Sequence, residues 1–237
     1  VTEILPPLRT THVFDAAGGQ WCFDLWAGSG RPLVLIPAVL FDRTCWWPTA
    51  ADLRPYATVV AVDLPGHGDS AGRERYELDE LVDDLAMLID SLQLRRAPVI
   101  VGHGPSATLA ALFATRYVTH AVVAVDPAPA EVLCAGVDAY LRSRQLADTP
   151  EQYRSLMQAT HDPRLLAAYA TGLRHRRPAT TIGVDPARLA VHSRPPSGPE
   201  TDPQATGTWR HEIYGVPGRF APLAAVRRFI TDLRTML

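Results

Sequence analysis

The stretch VIVGHGPSATLAALFATRY, Val99 to Tyr117, passes from an apolar run through a tight turn with two glycines into a long segment rich in alanine and leucine. Strand, sharp turn and helix are expected in that order. Such a turn sets one residue at the mouth of a sheet, where a nucleophile could do acyl-transfer chemistry. The residue at that place is Gly104, which has no attacking atom, and the next is Pro105, which has no N–H to offer an oxyanion. The other groups able to do chemistry are scattered. His103 stands before the turn, Asp126 ends another apolar run, His192 ends a third, and Arg219 lies in a late glycine-containing turn. His103 or Asp126 could move a proton. An arginine stays protonated near neutrality and cannot accept one, but Arg219 could hold an anionic or carbonyl oxygen, or pair with Asp126. Val39, Asp42, Trp46 and Trp47 share one loop. The tryptophans could stack on a ligand or anchor that loop on the core, and Asp42 could cap a short helix or act as an acid in a pocket.

The elements that would position these residues are legible. THVFDAAGGQWCFDLWAGSG reads as two strands around Gly18-Gly19, a hairpin. Near-continuous apolar runs at Pro32 to Pro37, Thr58 to Asp63, Pro98 to His103 and His120 to Asp126 belong in a parallel sheet covered on both faces. Between them, Leu78, Leu81, Val82, Leu85, Leu88 and Ile89 fall at helical spacing, with acids on the opposite face. Repeated strand–helix–strand units imply a doubly wound α/β fold. From 127 to 186 helical segments are expected around Glu131 to Arg144, Pro150 to Thr160 and Arg164 to Arg174, without a strand, as a small lid. The sheet resumes at Ala187 to Ser193 and Arg210 to Val216, and an amphipathic helix closes the chain. The expected division is therefore a core of 1–126 and 187–237 with a lid of 127–186.

Composition narrows the function classes. The formal charge of −2 gives no field for nucleic acid or an anionic membrane. No apolar stretch is long enough to span a bilayer, and VTEILPPLRT lacks the features of a signal peptide, so a cytoplasmic location is expected. Cys22, Cys45 and Cys134 are odd in number and widely spaced, which favours neither a disulfide framework nor a zinc site. No metal and no cofactor is expected. The expected partner is a small-molecule ligand or substrate, and the oligomeric state is left open.

Four segments resemble the α/β-hydrolase superfamily. LVLIPAVLFDRTCWW is similar to the family's oxyanion loop, with Pro37-Ala38 in place of His-Gly or Pro-Gly. VVAVDLPGHGDS matches its D-x-P-G-x-G-x-S turn, VGHGPSATLA aligns without a gap to the nucleophile elbow, and YGVPGRFAPL aligns to the turn carrying the catalytic histidine. The resemblance implies the α/β-hydrolase fold, with an N-terminal hairpin and a helical lid. It also implies that Gly104 takes the place of the nucleophile and Arg219 that of the general base. Arg194-Pro195-Pro196 follows the strand that carries the family's acid, and the next carboxylate is Glu200. Acyl-enzyme hydrolysis is therefore not expected. Ser106 could attack only if the turn slid by two residues, which would put Pro105 inside a strand. The leading expectation is non-hydrolytic cyclisation, isomerisation or elimination on a largely apolar metabolite, by analogy with triad-free relatives in bacterial natural-product pathways. A ligand-binding pseudo-hydrolase and a weak hydrolase using activated water are the alternatives. Candidate catalytic residues are Arg219, Asp126 and His103, and candidate ligand contacts are Val39, Asp42, Trp46, Trp47, Gly104, Pro105 and His192.

Overall fold

A computed structural model describes residues 9–174, 185–196 and 208–237. Strands β1 (Thr10–Ala16) and β2 (Gly19–Trp26) form the hairpin, with Gly19 at φ +139° at its turn. They are followed by β3 (Arg31–Ile36), helix α1 (Trp47–Leu53), β4 (Ala57–Val62), α2 (Leu78–Ser91), β5 (Val99–His103), α3 (Ala107–Arg116) and β6 (Ala121–Val125). The sheet order is β1-β2-β4-β3-β5-β6 and continues through β7 (Ala187–His192) to β8 (Arg210–Ile213). β1 and β2, and β2 and β4, pair antiparallel; every other neighbour is parallel.

The central strands β4, β5 and β6 are buried along their whole lengths, as apolar runs without alternation require. α2 covers the sheet with Leu78, Leu81, Val82, Leu85, Leu88 and Ile89. Its one buried carboxylate, Asp84, accepts from Arg73 at 2.6 Å and from the Trp21 indole at 3.4 Å. β3 lies between β4 and β5, so the chain leaves β3 towards one side and β5 towards the other. The loops after these two strands flank the crevice where open α/β sheets bind ligands.

Between β6 and β7 the described residues carry α4 (Val137–Arg144), the short α5 (Glu151–Arg154) and α6 (Pro163–Gly172). Their extended pairing is an isolated bridge between Phe41 and Ala159. After β8, α7 (Ala221–Ala224) leads into α8 (Val226–Arg234), which buries Phe229 and Leu233. Among the described residues no helix is long and apolar enough to cross a membrane.

Candidate functional site

The crevice is built around the turn between β5 and α3. Gly104 has φ +59°, a left-handed conformation that glycine adopts without strain, and Gly104 to Ser106 form a single 3-10 turn before α3. Behind it, Gly102 lets that turn lie against the strand, since a Cβ there would fall 2.7 Å from the Ala107 Cα. Pro105 is the second residue of the turn, where a missing N–H disturbs no ladder, and β5 ends before it at His103. Ser106 is buried, and its hydroxyl has no hydrogen-bond partner.

The space in front of Gly104 is occupied. A Cβ built on it would lie 3.1 Å from Nη1 of Arg144 and 3.5 Å from the Ala38 Cβ. Arg144 ends α4 and is buried to within 5% of its surface. Its backbone carbonyl accepts from the Arg219 amide at 3.1 Å, and its guanidinium lies 5.4 Å from the Tyr140 ring centre. Tyr140 is itself fixed, its hydroxyl donating to the Val39 carbonyl at 3.0 Å. A cationic group therefore faces the position that a side chain at 104 would take.

His103 is engaged within the core. Its Nε2 donates to the Arg219 carbonyl at 2.7 Å, and its ring packs edge-on against Phe220 and Trp46, with centroids at 4.7 and 6.1 Å. Burial, with the nearby Arg144 charge, lowers its pKa to about 4 despite the opposing pull of Asp126. Asp126 directly follows β6 at φ +42°, and its two oxygens accept from the Ser193 amide at 2.7 Å and the Ser193 hydroxyl at 2.6 Å. The Arg219 guanidinium stands 3.8 Å from Asp126 Oδ1 and keeps 29% of its side-chain surface exposed, so the pair expected from the sequence is a loose one. In this turn the backbone of Arg219 makes the short bonds, to His103 and Arg144.

Several predicted contacts are committed elsewhere. Trp46 is a core residue, lying between His103 and Phe229 with 1% exposure. The Trp47 indole donates to Asp24 at 2.8 Å, and Arg9 covers its ring at 3.8 Å. Asp42 caps the short 3-10 helix Arg43–Trp46, accepting from the Thr44 amide at 2.8 Å, and also lines a groove of about 190 Å³ beside Phe41, His67 and Thr160. His192 stacks on His211, with rings 9° from parallel and nitrogens 3.2 Å apart. Val39 is buried and contributes its carbonyl. Position Glu200 lies outside the described residues.

Cys22, Asp63 and Asp69 offer ligand atoms within 4.8 Å of one another. That cluster already surrounds a cation, because the Arg43 guanidinium pairs with Asp63, with Asp69 at 2.8 Å and with Asp24 at 3.2 Å. The same arginine donates its backbone amide to Asp63 at 2.7 Å. It ties the loop after β3 to the glycine-rich turn after β4, where His67 accepts from the Leu40 amide at 2.8 Å.

An open, mostly parallel sheet with a left-handed strand-to-helix elbow at its switch point defines the α/β-hydrolase class of protein. The sequence pattern of the alpha/beta hydrolase family matches residues 33–234, and the chain belongs to that family. Over 85 residues it is 38% identical to a dihydrolipoyllysine-residue acetyltransferase component of an acetoin cleaving system from Pseudomonas putida, covering 35% of this chain and 22% of that protein. Over 97 residues it is 32% identical to an (E)-2-((N-methylformamido)methylene)succinate hydrolase from Acinetobacter baylyi, covering 40% of this chain and 32% of the relative. The matches thus span about a fifth to a third of these relatives' length. The fold is also that of a solved E-2-(acetamidomethylene)succinate hydrolase, with TM-score 0.76 at 19% identity over 96% of this chain and 98% of that one.

Arg144, Tyr140 and Ser193 are the site residues that sequence reasoning did not find. A helix ending at Arg144 was legible, but nothing in its pattern says that the last side chain turns inward to a glycine 40 positions earlier.

Proposed function

We propose that this chain binds a small molecule non-covalently at the β5–α3 elbow and forms no acyl-enzyme. The observation that carries this reading is Gly104 at φ +59°, in the nucleophile's place, with Arg144 facing it. Supporting it, Pro105 supplies no oxyanion donor, and the turn that aligns with the catalytic histidine presents Arg219. In this reading the nucleophile, base and acid of the catalytic triad are all missing. The helices described between β6 and β7, α4 to α6, serve as a cover, a role supported by the Tyr140 bond to Val39.

Turnover by cyclisation, isomerisation or elimination is the weaker form of this reading. A base is needed for most such steps, yet His103 is engaged through Nε2 and both Asp126 oxygens accept hydrogen bonds. Hydrolysis by an activated water is favoured by the names of similar proteins, among them the hydrolase from Acinetobacter baylyi. The test is direct. A fluorophosphonate probe should leave the intact protein unlabelled, and p-nitrophenyl esters should be cleaved no faster than by the denatured chain. Stoichiometric labelling, at Ser106 or elsewhere, would overturn the proposal.

A further inference from the structure

We infer that the elbow is a carboxylate-binding site whose anchoring group is the Arg144 guanidinium, so that the small molecule held there is a monoanionic organic acid. This rests on the non-covalent site proposed above and names its ligand class. Arg144 is 5% exposed, and its Nε and Nη1 have no hydrogen-bond partner. None of the ion pairs among the described residues involves it. The acids around this end of the sheet are taken, Asp126 by Ser193 and Arg219, and Asp148 by Arg194 at 3.5 Å. A guanidinium shut away from water without a counter-charge is strongly disfavoured, and a bound anion removes that penalty. A planar guanidinium is suited to a carboxylate, and its strongest hydrogen bonds are charge-assisted.

The arginine is also held ready. The Tyr140 hydroxyl on the Val39 carbonyl fixes the preceding turn of α4, and the Arg219 amide on the Arg144 carbonyl fixes its end. Nη1 therefore faces the position that a Gly104 side chain would fill, beside the Ala38 loop. A second unpartnered buried group, the Ser106 hydroxyl, lies two residues along from Gly104 in the same turn. With His103 neutral, two guanidinium groups and one carboxylate leave the site with one uncompensated positive charge. One carboxylate balances it, whereas a phosphate dianion would overshoot.

The experiment is titration of the full chain with butyrate, butyramide and inorganic phosphate, by calorimetry and by melting temperature, for wild type, Arg144→Gln and Arg144→Lys. Butyrate should bind wild type and raise its melting temperature, while butyramide should bind at least tenfold more weakly. Arg144→Gln should weaken butyrate about tenfold or more and leave the ligand-free melting temperature unchanged or higher, because an unpaired buried charge has gone. Arg144→Lys should retain charge and fall between the two. Equal butyrate affinity in wild type and Arg144→Gln overturns the inference, as does tighter binding of phosphate than of butyrate. If butyramide binds and butyrate does not, the ligand class is wrong while the non-covalent site stands. If neither binds and both variants melt well below wild type, Arg144 is a structural plug and the inference fails. Fluorophosphonate labelling would instead strike the non-covalent reading itself.

Discussion

At the scale of single residues, the elbow shows what a glycine in a left-handed turn permits. Restoring the oxygen by Gly104→Ser places a Cβ 3.1 Å from Arg144 Nη1 and forces a non-glycine residue to φ +59°. The expected result is a loss of about 1–2 kcal/mol in stability, read by urea unfolding, with no gain in ester hydrolysis. A robust esterase from this single change would show a base already in place. Arg219→Ala should cost less than about 1 kcal/mol, because its side chain is a partly exposed ion-pair partner at 3.8 Å while Ser193 continues to satisfy Asp126. Arg43 is the contrasting case. Arg43→Met leaves the buried Asp63 without its cation and Asp24 with only Arg9 at 3.7 Å, and a loss of about 3–5 kcal/mol is expected by the same measurement.

At the scale of elements, the site depends on how closely α3 and α4 approach the sheet. Gly102→Ala would drive a Cβ into the backbone of Ser106 and Ala107, so the elbow must shift or β5 must bend. A destabilisation of about 1–3 kcal/mol is expected, the range found for overpacked cores. α4 is held by a lighter fastening. Tyr140→Phe removes one buried hydrogen bond to the Val39 carbonyl and should cost about 1 kcal/mol globally. Its sharper effect should be local, as faster amide exchange in α4 than in α2. Unchanged exchange in α4 would mean that other contacts of α4, and not the Tyr140 hydroxyl, fix Arg144.

For the whole molecule, buried histidines set the response to acid. His67 is pushed to about 4 by burial, its ring accepting from the Leu40 amide and donating to the Pro65 carbonyl; His103 is held near the same value. In the unfolded chain both protonate below about 6.5. Between pH 6.5 and 4 these two histidines bind more protons in the unfolded state, so their share of stability is complete above this window and falls as pH drops through it, opposed in part by Asp63, whose carboxyl burial pushes up to about 6. Each histidine accounts for up to about 3 kcal/mol on that scale. Urea midpoints measured from pH 7.5 to pH 4.5 should fall steadily, and His67→Gln should flatten part of the slope. A midpoint that rose on acidification would contradict both assignments.

The sequence by itself determined the sheet, because burial on both faces demands continuous apolar runs and leaves little freedom in where strands lie. The runs read at Pro32 to Pro37, Thr58 to Asp63, Pro98 to His103 and His120 to Asp126 became β3 to β6 within a residue or two. It also identified Gly104 and Pro105 as turn residues, one without a side chain and the other without an N–H. What only the tertiary structure decided is which distant groups meet there. Arg144 reaches Gly104, Ser193 satisfies Asp126, and Trp46 and Trp47 turn to the core and to Asp24. These contacts join residues tens of positions apart. Nothing in local periodicity records them, because a helix pattern fixes the buried face of α4 but not where its last side chain ends after the chain has folded back over the sheet.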